Sequence, residues 1–354
     1  MNSQKTIFLT GGTGLLGSYL LKIFLENNHK VFALSRSSKE KTSQNRILEV
    51  LKFWDTKFQP DNLVILEGDV GKDNLALSNQ TLQELRDSVE EIYHSAAITD
   101  LNRPINEITN INVTGTKRIL DLSDSFAKNG LLKKINHIST AYVYGNYHNK
   151  FTEKDLDVGQ GFDTNYEKTK FEAEKIVVEF RKKGLWVDIF RPSMIMGDSI
   201  EGKTFQFKHV YQFINLCRIE LFDTLPIKDA RLSLVPIDLT ANAIYVLANT
   251  TKEKNKTFHP IPTDLVPIET IINTAAKLAN FKKPKITSLE EFIADKFTPT
   301  QQAILRATIL SVNFKINLDS TDTNAILKSC GFTMPNITNS LLERILTYFL
   351  RKQR

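Results

Sequence analysis

Residues 1–200 alternate short apolar runs with longer stretches in which apolar positions recur every three or four residues. The short runs have the length and the β-branched, aromatic composition of buried strands. Six strands are predicted, at Thr6–Thr10, Lys30–Leu34, Leu63–Glu67, Glu91–His94, Lys134–Ile138 and Val187–Phe190. The longer stretches predict helices, chiefly Gly14–Glu26, Ile108–Lys128 and Asn165–Lys182. Strands that alternate with helices in this way join through right-handed crossovers, so we predict an α/β fold with a doubly wound parallel sheet.

The strand–helix alternation stops near Met194. Helical periodicity then predicts four further helices, Phe207–Glu220, Leu239–Asn249, Glu269–Leu278 and Leu341–Leu350. We expect an α/β domain over residues 1–200 that also receives elements from 230–260. Residues 201–354 should form a smaller, mostly helical substrate-binding lobe. The amphipathic, basic C-terminal helix fits packing on this lobe better than contact with a membrane or a carrier protein.

The composition, with 41% hydrophobic and 24% charged residues, is that of an ordinary globular protein. No apolar run is long enough for a membrane span, and the N-terminus does not predict a signal peptide. Cys217 and Cys330 lie far apart and the six histidines are dispersed, so we expect reduced thiols, no metal and a cytoplasmic location. The mild net charge of +6 does not indicate a nucleic-acid partner.

A glycine-rich turn lies directly between the first predicted strand and the first predicted helix. Gly11 permits a tight turn, Gly14 allows backbone to approach a pyrophosphate, and Gly17 lets the helix pack close to the strand. The free N–H groups and positive dipole end of the helix favour phosphate. This pattern predicts a dinucleotide-binding Rossmann domain, with the phosphates held by Gly11, Thr13, Gly14, Leu15, Leu16 and Gly17.

The ends of the second and third strands bear on the identity of the cofactor. Ser35 stands where an acidic residue would accept hydrogen bonds from a ribose 2′-hydroxyl, and Arg36 follows it. A guanidinium can hold a 2′-phosphate, so NADP(H) is favoured over NAD; the alternative is that Arg36 is a solvated loop charge. Asp69 and Val70 follow the third strand and are expected to contact the adenine, with a turn-forming role for Asp69 as the alternative.

Tyr166 and Lys170 stand four residues apart at the start of a predicted helix and therefore project from one face. A phenol with a pKa near 10 is a poor acid–base at neutral pH, and a neighbouring ammonium stabilises its anion. At the end of the fifth strand, Ser139 and Thr140 are both candidates to hydrogen-bond an oxyanion beside the phenol. A surface helix is the alternative interpretation of the tyrosine–lysine pair.

Over residues 1–250 these motifs resemble the extended short-chain dehydrogenase/reductases. The other residues that carry the resemblance are His94–Ala97, Asn112–Thr116, Ser139–Gly145 and Arg191–Ser193. In such enzymes the catalytic hydroxyl lies five residues before the glycine of the Val-Tyr-Gly segment, and Gly145 thus points to Thr140 as the catalytic residue beside Tyr166 and Lys170. The resemblance also implies that Tyr166 and Lys170 contact the cofactor, and that a homodimer can form. It implies a nicotinamide pocket lined by Ala96, Ala97, Pro192 and Ser193.

Several segments are similar to the thioester reductase and fatty acyl-CoA reductase branch of these enzymes, namely Leu232–Ile244, Arg191–Asp198, Phe258–His259 and Leu289–Phe292. This similarity implies an NADPH-dependent reductase acting on an acyl thioester of CoA or an acyl carrier protein, giving an aldehyde or an alcohol. The alternatives are an NADP-dependent alcohol or hydroxysteroid-type dehydrogenase, a nucleotide-sugar epimerase or dehydratase, and a non-catalytic NADP-binding sensor. The presence of Tyr166, Lys170 and Thr140 argues against the sensor.

Overall fold

The computed structural model describes residues 4–100, 103–288, 290–292, 296–310 and 317–353; the side chains of 306–310 are left out of the description, and Leu289 lies outside the described residues. The strands are β1 Thr6–Thr10, β2 Lys30–Ser35, β3 Leu63–Glu67, β4 Glu91–His94, β5 Lys134–Ile138, β6 Val187–Phe190, β7 Met194–Met196, β8 Thr224–Leu225, β9 Arg231–Leu232, β10 Leu234–Pro236, β11 Thr257–Phe258, β12 Val266–Pro267 and β13 Lys285–Ile286. The six predicted strands are thus present, with β2 one residue longer than predicted.

The helices are α1 Leu15–Glu26, α2 Ser43–Phe53, α3 Asn79–Ser88, α4 Ile105–Thr109, α5 Gly115–Asn129, α6 Asn165–Lys182, α7 Val210–Arg218, α8 Ile237–Thr250, α9 Ile268–Ala279, α10 Pro299–Leu310, α11 Thr321–Ser329 and α12 Asn339–Lys352. A π-helical turn, Asn110–Thr114, interrupts the single helix predicted between β4 and β5. Helix α7 begins later than predicted because His209, with φ 51° and ψ −108°, breaks the helical path.

The central sheet has seven strands in the order β11-β6-β5-β4-β1-β2-β3. Every neighbouring pair in it is parallel. The chain runs outward from β1 to β3, returns to β4 and then continues in the opposite direction, so the crevice between β1 and β4 is a topological switch point. The predicted doubly wound parallel sheet is confirmed.

Elements from beyond residue 230 complete the half of the structure that contains the central sheet. Strand β11 pairs with β6, with Thr257 opposite Ile189 and Phe258 opposite Phe190. Helix α8 packs against α1, and Leu20 and Ile244 are fully buried in the same hydrophobic cluster. The C-terminal part of the chain therefore covers one face of the sheet as well as forming its own core.

That second core lies among α7, α9 and α12. Helix α12 buries its apolar face, Leu341, Leu342, Ile345, Leu346 and Phe349. Tyr211 of α7 packs against Phe349 with ring centroids 4.9 Å apart. Across the part of the chain that the structure describes, no helix combines the length and apolar content needed to cross a bilayer.

Candidate active site

A cavity of about 600 Å³ lies at the carboxyl ends of the central strands. Most of the predicted site residues line it: Gly14, Leu15, Leu16, Gly17, Arg36, Asp69, Ala97, Thr140, Tyr166, Lys170, Pro192 and Ser193. Gly11, Thr13, Ser35, Val70 and Ala96 are not among the residues that line it. Strands β2 and β5 stand three places apart in the sheet, about 14 Å at the usual strand spacing. The cavity thus joins the predicted phosphate and proton-transfer residues in one elongated space.

The glycine turn has no room for side chains. Gly11 has φ +78°, and a Cβ there would lie 2.6 Å from the Ala96 backbone nitrogen. A Cβ on Gly17 would collide with the carbonyl oxygen of Gly11. Gly14 is the N-cap of α1 and supplies no side-chain cap, which leaves the first N–H groups of this helix to other acceptors. The turn has the form expected of an anion cradle.

Two guanidinium groups converge at the end of β2. Arg36 is more than half exposed and lies 3.6 Å from a carboxylate oxygen of Asp69. Arg46, from the first turn of α2, donates to the Arg36 carbonyl at 2.6 Å and to the Thr13 hydroxyl at 3.2 Å. Partial burial and the charge of Arg36 lower the pKa of Arg46. The Ser35 hydroxyl is buried, with no hydrogen-bond partner among the described residues.

Arg46 was not singled out from the sequence, because nothing in the spacing of residues 36–46 shows that α2 folds back over the turn. Its one sequence signal is that it is the second arginine after β2, following Arg36.

Asp69 and Val70 have structural partners of their own. One Asp69 oxygen accepts a hydrogen bond from the Gly71 backbone N–H at 2.8 Å, as in the turn-forming alternative. The other lies near Arg36, and the side chain also lines the cavity. Val70 is buried and lies against Gly115 of α5, where a Cβ would come within 3.2 Å of it. Asp69 is therefore positioned to hold Arg36 while facing the cavity.

The structure places Thr140 rather than Ser139 beside the phenol of Tyr166. The Thr140 hydroxyl, acting as a donor, favours the anion of the Tyr166 phenol and so lowers its pKa. The Thr140 hydroxyl also accepts from the Tyr142 backbone N–H at 3.3 Å. The Ser139 hydroxyl is buried and has no partner within the described part of the chain. Lys170 donates from Nζ to the Ile138 carbonyl at 2.8 Å, beneath the same strand end.

The protein surroundings change the acidity of both members of the pair. Loss of contact with water raises the pKa of Tyr166 to about 12; the hydrogen bond from Thr140 opposes this change, and the charge of Glu167 adds to it. Burial lowers the pKa of Lys170 to about 8, against the favourable charge of Glu174. At neutral pH the phenol therefore keeps its proton and the lysine is mostly cationic, the states needed to donate a proton beside a positive charge.

Two sets of hydrogen bonds fix α6, the helix that carries Tyr166 and Lys170. Thr164 and Glu167 form a reciprocal capping box at the start of α6, with bonds of 3.2 Å in each direction. Burial raises the pKa of Glu167 to about 7. Fully buried Asn112, in the π-helical turn, bonds both backbone groups of Ile98 and the hydroxyl of Thr169. The loop after β4 is thereby tied to α6.

The branch-specific segment around Asp238 has a structural role. Asp238 accepts hydrogen bonds from the Ser199 backbone N–H at 2.8 Å and from its hydroxyl at 2.5 Å. Strand β10, just before Asp238, pairs in parallel with β7. Nearby, the Ser233 hydroxyl donates to that of Ser193 at 2.9 Å. This segment thus supports the chain that follows the predicted nicotinamide pocket.

The second lobe contributes cavity residues that were not predicted from the sequence, namely Gln206, Lys208, His209 and Tyr211. Lys208 donates from Nζ to the Thr99 hydroxyl at 3.1 Å and so joins this lobe to the loop after β4. The sequence predicted a helix from Phe207 onward, and no local pattern showed that its first residues would line a cavity with Tyr166. Within the described residues, no group of three or more histidine, cysteine, aspartate or glutamate side chains is arranged to hold a metal ion.

Comparison with known proteins places these features in a family. The NAD-binding family described as "Male sterility protein" matches residues 9–244. The chain is 30% identical over 275 residues to the nonribosomal peptide synthetase asaC of Aspergillus flavus, covering 73% of this chain and 26% of the synthetase. It is similar in structure to the terminal R domain from the myxalamid PKS-NRPS biosynthetic pathway, with a TM-score of 0.83 and 25% identity, covering 100% of this chain and 92% of that domain.

A thiolation-reductase di-domain from an archaeal non-ribosomal peptide synthetase has the same fold, with a TM-score of 0.78 and 22% identity over 99% of this chain and 76% of the di-domain. The chain spans about a quarter or less of the length of the first curated relatives it matches. The match over residues 9–244 covers well over half of the chain and includes the glycine turn, Thr140, Tyr166 and Lys170. The chain therefore belongs to the "Male sterility protein" family of extended short-chain dehydrogenase/reductases, on its thioester reductase branch.

Proposed function

We propose that this chain is an NADPH-dependent reductase that converts an acyl thioester, held on a carrier protein, to an aldehyde. The observation that carries the proposal is that Thr140, Tyr166 and Lys170 line the same cavity as Gly14 and Gly17 of the glycine turn. The thiolation-reductase di-domain supports a carrier-bound substrate, because its name joins a reductase to the thiolation domain of a peptide synthetase. A thioester of CoA has the same reacting group, and it is therefore also assayed in the experiment described below.

The residues present fit a nicotinamide dinucleotide. The turn at Gly11 and Gly17 admits no Cβ, and the start of α1 has no side-chain cap, so backbone N–H groups are available to a pyrophosphate. Lys170 and Tyr166 line the other part of the cavity, where they would contact the nicotinamide ribose. When bound, the reduced cofactor supplies the hydride.

The preference for NADPH rests on Arg36 and Arg46. Two cations and the Thr13 hydroxyl lie together at the end of β2, where a ribose 2′-phosphate would be placed. A carboxylate at position 35 would repel that phosphate, and the residue there is Ser35. Asp69 holds Arg36 loosely at 3.6 Å, which leaves the guanidinium free to turn toward a stronger anion.

The chain's own groups would handle the oxygen and the proton. Thr140 and Tyr166 donate hydrogen bonds to the thioester carbonyl oxygen as negative charge develops on it. Tyr166 then transfers its phenolic proton to that oxygen, and the Lys170 ammonium stabilises the phenolate left behind. The resulting hemithioacetal breaks its C–S bond, which releases the carrier thiol and an aldehyde. The balance is one thioester, one NADPH and one proton giving aldehyde, thiol and NADP⁺.

The test is NADPH oxidation by the purified protein with acyl thioesters of pantetheine, CoA and a carrier protein, with NADH in parallel and the aldehyde trapped as a hydrazone. We expect thioester-dependent oxidation that falls by about 100-fold or more in Tyr166→Phe while NADPH still binds. Exchanging Arg36 and Arg46 for alanine should weaken NADPH binding far more than NADH binding. Tight NADPH binding without oxidation by any thioester would overturn the proposal.

A further inference from the structure

His209 lines the active-site cavity from the second lobe, yet it takes no part in the chemistry described above. It is the N-cap of α7, with φ 51° and ψ −108°, and its carbonyl accepts the first helical bond, from Phe213 N–H at 2.9 Å. The N-cap residues of α2, α3 and α6, by contrast, have extended backbone and hydroxyl side chains that cap the helix. The imidazole of His209 is not used in this way.

The backbone at His209 is strained. Positive φ is unfavourable for a residue with a Cβ and costs about 1–3 kcal/mol, so the rest of the fold has to impose it. His209 is half-buried in the cavity wall, and its ring makes no hydrogen bond to any part of the chain that the structure describes. A half-buried polar ring without a partner, facing a ligand space, is available to a ligand.

The surroundings keep this ring neutral. Burial, with the neighbouring charge of Lys208, lowers the pKa of His209 to about 4, while Asp100 acts in the opposite direction. A neutral imidazole has one N–H donor and one acceptor nitrogen. The Lys208 ammonium points to the Thr99 hydroxyl, so the loop after β4 and the segment before α7 are held together at this point of the cavity.

The ring shares its cavity with Tyr166 and Thr140. A dinucleotide would occupy much of a space of about 600 Å³. An acyl group with its carbonyl at Tyr166 would share the remaining space with His209, which lines the same cavity. Because a polar group in a desolvated site is costly without a partner, a hydrogen-bonding substituent there gains far more from this ring than a methylene hydrogen does.

We propose that His209 is a specificity-determining residue: it hydrogen-bonds an amino or hydroxyl group on the carbon next to the thioester carbonyl and so selects substituted acyl groups over plain ones. This inference rests on the proposed thioester reduction. It assigns His209 to recognition of the acyl group and not to proton transfer.

The experiment uses a matched trio of pantetheine thioesters, alanyl, lactoyl and propionyl, which differ only in the substituent on that carbon. His209→Leu removes both polar nitrogens, and His209→Gln keeps a donor and an acceptor. Every L residue with a side chain has the same Cβ, so neither variant adds backbone strain. The unfolding temperature of each variant checks that it folds.

We expect His209→Leu to lower kcat/KM for alanyl or lactoyl relative to propionyl by about tenfold or more, and His209→Gln to keep the ratio within about threefold. The member of the trio that loses most identifies the substituent. Equal losses on all three substrates would show a structural role and overturn the proposal, as would an unchanged ratio.

A second measurement separates this inference from the proposed reaction. The non-reducible thioethers S-(2-aminopropyl)-, S-(2-hydroxypropyl)- and S-propylpantetheine are titrated calorimetrically into the NADP⁺ complex of each protein. Discrimination in the wild type that is lost in His209→Leu supports the assignment even if no thioester is reduced. Equal binding of all three thioethers by the wild type would overturn it, whatever the turnover assay shows.

Discussion

Glu174 and Arg191 form a bidentate ion pair that is almost completely closed to solvent. Arg191 donates from Nε to both carboxylate oxygens, at 3.0 and 3.1 Å, and from a terminal nitrogen at 2.7 Å. Glu174 is on α6, four residues after Lys170, and Arg191 directly precedes Pro192 and Ser193 of the cavity wall. The pair therefore fixes the helix that carries the proton-transfer residues against the predicted nicotinamide pocket.

Breaking this pair from one side should destabilise the fold severely. Glu174→Ala leaves a guanidinium buried without its counter-charge, for which we expect a loss of about 3–5 kcal/mol in the free energy of unfolding. Denaturant titration measures it. The matched control is Asp121→Ala, which breaks the exposed Lys117–Asp121 pair and should change stability by less than about 0.5 kcal/mol. A comparable, small effect of both variants would contradict this account of the buried pair.

The two hydroxyls at the end of β5 should differ sharply in function. Thr140 stabilises the anion of the Tyr166 phenol, whereas the Ser139 hydroxyl is buried without a hydrogen-bond partner within the described residues. Thr140→Val should therefore lower kcat by about 100-fold, with Ser139→Ala, one residue away, as control at less than about threefold. Steady-state kinetics with saturating NADPH checks both values. A larger loss for Ser139→Ala would reassign the catalytic hydroxyl.

The lowered pKa of Lys170 predicts that catalysis declines at alkaline pH. Burial places the pKa of this lysine at about 8, below its ordinary value of 10.5, so the ammonium is lost as pH rises through that value. We expect kcat/KM, which reports the free enzyme, to fall above about pH 8 with the loss of one proton. In Lys170→Arg the guanidinium stays charged, and any residual activity should lose this alkaline limb. A limb that persists unchanged in Lys170→Arg would exclude Lys170 as its cause.

The lowered pKa of His94 predicts that the folded protein loses stability in acid. It bonds the Thr10 hydroxyl at 2.7 Å and the Thr116 hydroxyl at 3.1 Å, and burial lowers its pKa from 6.5 to about 3. The unfolded chain binds a proton that the folded chain excludes, so stability is lost as pH falls from 6.5 toward 3. We expect unfolding midpoints in denaturant to fall over this window.

The His94 contribution can be isolated by substitution. His94→Asn removes the titrating group, and the stability of this variant should depend less on pH below 6.5 than that of the wild type, even if it is lower at neutral pH. The exposed His148 offers the control, because His148→Asn should leave the pH dependence as it is. An identical acid dependence in the wild type and in His94→Asn would assign the effect to other groups.

Local patterns were sufficient to predict the first six strands, the glycine turn and the Tyr166–Lys170 pair. Each depends on neighbours only a few residues away: alternation or a run of apolar residues for a strand, three glycines for a turn, and a spacing of four for one helical face. The match to a reductase family follows from the same short motifs. These features could therefore be predicted from the sequence without knowledge of any contact between distant segments.

The tertiary structure determined which residues, distant in sequence, these elements contact. Arg46 reaches Thr13 across 33 positions, Lys208 reaches Thr99 across 109, and Thr257 joins β6 from far along the chain. Such contacts depend on how helices and loops pack over the sheet, which no short-range periodicity encodes. The presence of His209 in the cavity is of this kind, because it depends on the path of the folded backbone and not on residue type alone. Thr140, by contrast, was already favoured over Ser139 by its spacing from Gly145 in the family motif.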